Sequence, residues 1–169
     1  LFGRKWELIW RREVKGYTFI GSQWSSLKPP VEEYFRDHAV GLRGSKPFFY
    51  CQHAHPKDTI FGPWAWGSWD DRDGAARKAL GKYPNAVAFS GHTHYTITDE
   101  RSVWQGAFTS LGTGALRWVS LPSGRENGPL NKGQSRRMGN IGWGSQGMGM
   151  SVWRDLMVFE RYDFVNDGK

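Results

Sequence analysis

Two histidines separated by a single residue, His92 and His94, follow a short apolar run in the stretch AFSGHTHYTI. Histidine is the commonest metal-ligand side chain, and a neutral imidazole suits zinc, iron, manganese or nickel. Gly91 precedes the pair and lets the backbone turn sharply, so that both rings can reach inward. One intervening residue lets the two rings serve two neighbouring ions rather than chelate one. The alternative is a polar surface turn that contains histidine by chance.

A second histidine pair, His53 and His55, follows the apolar run KPFFYCQ. This run and the later run AVAFS are typical of short strands buried on both faces. The stretch between them, DDRDGAARKALGKYPN, predicts a helix that Pro84 ends. Two strands joined through a helix are parallel, and their carboxyl ends lie at the same edge of the sheet. We therefore expect four of the five histidines to converge at that edge.

The rest of the chain reads mostly as strands. WELIWRREVKGYTFIGSQW predicts two strands joined at Lys15–Gly16, and a helix begins near Pro30. His38 lies on that helix, where we expect a structural role. After Tyr95 the sequence is β-rich. A long polar, glycine-rich loop is predicted over residues 122–145, and the chain closes with a hairpin that turns near Arg154–Asp155.

Composition limits the class of protein. The 169 residues, 38% of them apolar, are enough for one domain with a core or for a large piece of a bigger one. No apolar run is long enough to cross a bilayer, so we expect no membrane partner. Cys51 is the only cysteine, which excludes a disulfide within the chain and leaves the compartment undetermined. The net charge of +7 suits solubility or an anionic ligand, and without a nucleic-acid motif we expect no nucleic-acid partner.

Three stretches resemble the calcineurin-like metallophosphoesterases. NAVAFSGHTHYTI is similar to the closing metal-binding motif of that superfamily, and KPFFYCQHAHP to the motif that precedes it. DERSVWQGAFTSLGTGAL resembles members with a Trp-Gln element after Gly-His-x-His. The resemblance implies an α/β fold that is part of a four-layer αββα sandwich of mixed sheets with flanking helices.

The resemblance also implies a dinuclear centre of two divalent or trivalent ions (Mn, Fe or Zn) in the intact protein. His53 and His92 would bind one ion and His94 the other. Further residues would surround the metals or the pocket: His55, Gly91 and Asn85. Three tryptophans in the loop after His55 either contact substrate or cap the core: Trp64, Trp66 and Trp69.

In the family, a hydroxide activated by the two metals attacks phosphorus, so the intact protein is expected to hydrolyse a phosphate mono- or diester. The family's Asp-x-His, bridging Gly-Asp and Gly-Asn-His motifs do not occur before His53. The chain also starts at Leu1, and its first methionine is Met138. We therefore expect residues 1–169 to be a single partial domain, the C-terminal portion of such an enzyme, with little activity alone.

Three other readings remain open. In the first, the chain would be a catalytically inactive module whose Trp-rich surface binds carbohydrate, protein or nucleotide. In the second, it would be a basic nucleic-acid-binding domain. In the third, the missing N-terminal half would come from another polypeptide. Loss of ligand binding in a His92→Ala variant would contradict the first. Binding to DNA or RNA that depends strongly on salt and needs no metal would favour the second.

Overall fold

The computed structural model describes residues 7–23, 30–60, 71, 74–121 and 139–165. They form a mixed α/β structure with few helices and one large sheet. None of the helices in these residues has the length and apolar character needed to cross a membrane. The elements in chain order are β1 (Trp10–Val14), β2 (Tyr17–Gly21), α1 (Pro30–Asp37), β3 (Phe48–Cys51), α2 (Ala75–Leu80), β4 (Ala86–Ser90), a 3₁₀ turn (Glu100–Ser102), β5 (Val103–Gln105), β6 (Thr109–Gly112), β7 (Trp118–Leu121), β8 (Gly139–Trp143), β9 (Gln146–Val152) and β10 (Met157–Asp163).

The main sheet has six strands in the order β1-β2-β3-β4-β6-β5. The four inner strands β2, β3, β4 and β6 are parallel, and the two edge strands pair antiparallel with their neighbours. The predicted parallel pairing of the two buried strands is confirmed, with Phe49 opposite Val87. The carboxyl ends of the four parallel strands therefore lie along one edge of the sheet.

The first hairpin turns where the sequence predicts it. Lys15 and Gly16 connect β1 to β2, with φ of 49° and 79°. Two successive residues at positive φ match the right-handed twist of the flanking strands, and glycine adopts this conformation at little cost. The hairpin supplies the antiparallel edge next to the parallel strands.

Each face of the sheet has its own core. On one face, α1 and α2 cover a buried cluster that includes Phe35, Tyr50 and Leu80. On the other face, β9 and β10 pack against Phe49 and its buried neighbours on β4 and β6. Successive side chains of a strand point to opposite faces, which explains why β3 is almost wholly apolar and confirms its burial on both sides.

Two local predictions need correction. Residues 139–143, predicted as loop, form β8, which pairs antiparallel with β7. The helix predicted from Asp70 begins after Gly74 and covers Ala75–Leu80 in the residues that the structure describes, with Asp70, Arg72 and Asp73 lying outside them. Asp71 lies ahead of that helix, and its carboxylate accepts hydrogen bonds from the Ala76 and Arg77 amides at 2.8 and 3.2 Å. Asp71 thereby satisfies two of the amide donors at the start of α2, although it lies outside the helix.

The predicted closing hairpin is confirmed. β9 and β10 pair antiparallel from Met157 opposite Val152 to Asp163 opposite Gln146. The amide of Trp153 donates to the Leu156 carbonyl at 2.8 Å across the turn.

Candidate metal centre

His53 and His92 meet at the carboxyl edge of the sheet. His53 follows β3, His92 follows β4, and the Gly91 amide donates to the His53 carbonyl at 3.0 Å. The His92 Nδ1 atom lies 3.0 Å from the His53 Nε2 atom, and the two ring centroids are 4.8 Å apart. Residues 39 positions apart in the chain are thereby brought into direct contact.

The turn that carries His92 and His94 has an uncommon backbone conformation. The φ angles of these residues are 66° and 52°. Positive φ is rare for residues other than glycine, although histidine adopts it more readily than most. The Thr93 amide donates to the Gly91 carbonyl at 2.8 Å and tightens the turn. The left-handed conformation therefore falls on the two histidines rather than on Gly91, to which the sequence assigned the sharp turn.

His94 is held by Trp118, the first residue of β7. Its Nδ1 atom lies 2.9 Å from the Trp118 carbonyl oxygen, and its ring stacks on the indole with centroids 3.8 Å apart and planes at 28°. A carbonyl oxygen only accepts, so Nδ1 carries the proton and the lone pair of this ring is on Nε2. Trp118 carries no local signal in the sequence, because its proximity to His94 arises only from the fold.

His55 lies behind the turn in a fully buried position. Its Nδ1 and Nε2 atoms lie 2.6 Å from Ser90 Oγ and 2.9 Å from Thr93 Oγ1. Burial, helped by repulsion from His92 and His53, lowers the pKa of His55 to about 3, so this ring is neutral. It joins the loop after β3 to both ends of the Ser90–Thr93 segment.

The environment also favours the neutral form of the histidine pair. Burial lowers the pKa of His92, with smaller contributions from the charges of His53 and His94. Burial and the charge of His94 lower the pKa of His53 as well. A neutral imidazole has a lone pair to offer a metal, so these shifts favour ligation near neutral pH.

Asn85 and His38 lie away from the histidine pair. Asn85 precedes β4, at the opposite end of that strand from the histidines, where its amide donates to the Leu42 and Lys46 carbonyls at 2.7 Å each. His38 follows α1 and stacks on Tyr34 with ring centroids 4.2 Å apart. The three tryptophans proposed as substrate contacts lie outside the described residues: Trp64, Trp66 and Trp69.

His53 and His92 lie within hydrogen-bond distance of each other, so a small rotation of either ring would let both reach one metal ion. At the tetrahedral angle that zinc prefers, two nitrogens bound at about 2.0–2.1 Å would be about 3.3 Å apart. The observed separation of His53 Nε2 and His92 Nδ1 is 3.0 Å. Within the described part of the chain, no group of three or more His, Cys, Asp or Glu side chains is arranged to hold a metal.

Comparison of the sequence with protein-family models gives no match, and comparison with curated protein sequences gives none either.

Proposed function

We propose that this chain supplies three histidine ligands to the dinuclear centre of a calcineurin-like metallophosphoesterase that hydrolyses a phosphate mono- or diester. The observation that carries this proposal is the contact between His53 and His92 at the carboxyl edge, 3.0 Å between ring nitrogens. His94 lies in the same turn with Nε2 available for ligation. Ligands of open α/β sheets bind at this edge.

Each histidine has a distinct role in this proposal. His53 and His92 would hold one ion through Nε2 and Nδ1, and His94 would hold the other through Nε2. When bound, the two ions lower the pKa of water and neutralise charge on the phosphoryl oxygens. The Trp118 carbonyl and ring orient His94, and His55 holds the segment between Ser90 and Thr93.

Three neutral imidazoles offset no positive charge, so two cations held close together also need carboxylates. The family motifs that provide them, including the bridging Asp, do not occur before His53 in these 169 residues. We propose that they come from polypeptide outside this sequence, and that these residues alone have little phosphatase activity.

The layer arrangement supports the same proposal. Helices cover one face of the six-stranded sheet, and the β9–β10 hairpin covers the other. A helix layer, a sheet and part of a second sheet are three of the layers that an αββα sandwich requires. We propose that the hairpin belongs to the second sheet of that sandwich.

The first test is to sequence the source DNA upstream of the Leu1 codon. An open frame encoding Asp-x-His, Gly-Asp and Gly-Asn-His in that order is the expected result. A start codon or a cleavage signal immediately before Leu1 would count against the proposal and would favour a binding module instead.

The second test is biochemical. The complete polypeptide, loaded with Mn²⁺ or Zn²⁺, is assayed with p-nitrophenyl phosphate and bis(p-nitrophenyl) phosphate. His92→Ala should abolish hydrolysis and lower the metal stoichiometry, because it removes a ligand. His38→Ala is the matched control and should leave both unchanged, since His38 is exposed beside α1. Equal activity in the two variants would contradict the assignment.

A further inference from the structure

We infer that the ring of Trp118 is a positioning element for His94 and selectively strengthens metal binding at that histidine. The inference rests on the proposed function, because it assumes that His94 is a ligand. It adds a residue outside the histidine motifs, 24 positions beyond His94.

Two separate contacts fix the His94 ring. The Trp118 carbonyl accepts a hydrogen bond from Nδ1 at 2.9 Å, which sets the tautomer. The indole lies against the face of the imidazole, with centroids 3.8 Å apart and planes at 28°. The hydrogen bond fixes one atom at the edge of the ring, and the stack limits rotation of the whole ring.

Trp118 is itself anchored to the rest of the site. It pairs with Trp143 at the start of the β7–β8 ladder, and the next residue, Val119, is buried. The loop that leads to it is tied to the end of β4, because the Thr113 amide donates to the Ser90 carbonyl at 2.8 Å. Ser90 also forms a hydrogen bond with His55, which in turn contacts Thr93. The end of β4 is therefore connected both to the loop that leads to Trp118 and to the turn that carries His94.

A ligand that is already oriented loses less conformational freedom when the metal binds. Groups that orient ligating histidines typically change metal affinity by 10–100-fold when they are removed. Replacing the Trp118 side chain leaves its backbone carbonyl in place, so such a variant isolates the contribution of the ring. We expect the loss to be about tenfold, at the lower end of that range.

The test is calorimetric titration of Zn²⁺ into the complete, metal-free polypeptide. Trp118→Ala should weaken one of the two Zn²⁺ sites about tenfold and leave the other unchanged, while Trp118→Phe should keep most of the affinity. Trp104→Ala is the control: Trp104 lies on edge strand β5, and its ring packs on Phe108. Its Zn²⁺ affinities should match the wild type. If the alanine variant does not fold, Trp118→Leu removes the aromatic face while keeping bulk.

Urea unfolding of the metal-free variants separates positioning from general stability. Equal weakening of both sites in proportion to lost stability would overturn the inference, as would unchanged affinity in Trp118→Ala or Trp118→Leu. In either case, two bound Zn²⁺ ions in the wild type would leave the proposed function standing. No Zn²⁺ binding by the wild type would overturn the proposed function, and the inference with it.

Discussion

His55 Nε2 lies 2.9 Å from Thr93 Oγ1, so a buried histidine from the loop after β3 holds the residue between His92 and His94. Its other nitrogen lies 2.6 Å from Ser90 Oγ at the end of β4. The ring therefore spans the turn from one side to the other. Because Thr93 lies between two residues with positive φ, this contact stabilises a conformation that the turn would not favour alone.

His55→Phe should lower the free energy of unfolding by about 2 kcal/mol, because it removes the ring's hydrogen bonds to two buried hydroxyls. Urea denaturation of the metal-free protein measures this loss. His38→Phe is the matched control, since His38 is exposed, and it should change stability by about 0.5 kcal/mol or less. Equal stability of the two variants would show that the bridge contributes nothing.

Acid should lower the free energy of unfolding through Asp99, which lies in the loop after the histidine turn. Its carboxylate accepts hydrogen bonds from Arg101 and from Tyr95, and mainly the Arg101 side chain lowers the pKa of Asp99 to about 2 from 3.8. Between these values the unfolded state binds more protons, so the stabilisation is complete above about pH 4 and is lost as the pH falls towards 2.

After allowance for solvent screening, the loss should be about 1 kcal/mol. The measurement is the free energy of unfolding against pH for the wild type and for Asp99→Asn. The difference between the two curves should shrink as the pH falls through this window. A constant difference would mean that Asp99 does not titrate in this way.

Gly114→Ala should destabilise the loop between β6 and β7. Gly114 has φ of 75°, and an added Cβ would lie 3.0 Å from Ile97 Cγ2 and 3.1 Å from Gln146 Cβ. Gly41 has a similar φ of 83° with no atom within 4 Å of an added Cβ. Gly41→Ala should therefore cost about 1–2 kcal/mol from the backbone alone.

The cost for Gly114→Ala should exceed this by about 1 kcal/mol or more, because the new methyl group also overpacks its neighbours. Urea midpoints of the two variants give the comparison directly. The same loss in both would place the whole effect in the backbone conformation and refute the packing argument.

Phe159→Ala should lower the free energy of unfolding by about 2 kcal/mol, because Phe159 packs β10 against the main sheet without being fully buried. Its ring centroid lies 6.1 Å from that of Phe89. Glu160→Ala, one position along and exposed, should change stability by about 0.5 kcal/mol or less. Chemical denaturation of both variants tests whether the hairpin covers the sheet in solution; similar small losses would show that it does not.

The sequence predicted well wherever a short pattern determines the backbone. The pair Lys15–Gly16 favours a tight hairpin turn, and two apolar runs joined through a helix leave few arrangements other than parallel strands. From that topology alone, the meeting of the His53 and His92 loops at one edge could be expected.

The parts that the sequence did not predict depend on contacts between distant segments. β8 is rich in glycine and shows no alternating pattern, so its pairing with β7 could not be read locally. The stack of Trp118 on His94 depends on where β7 begins relative to β4. A tryptophan in a β-rich segment is far more often a core residue than a partner of a histidine at the edge of the sheet.

The parallel pairing of β3 with β4 also has a consequence for folding kinetics. The His53–His92 contact spans 39 residues of the chain. The hydrogen bond from the Ile97 amide to the Gln146 side chain spans 49. Chains dominated by such non-local contacts fold slowly, because the loops must close before the contacts can stabilise them. In a nascent chain that has not yet paired β4 with β3, His53 and His92 therefore lie apart, and the contact between their rings would form late in folding.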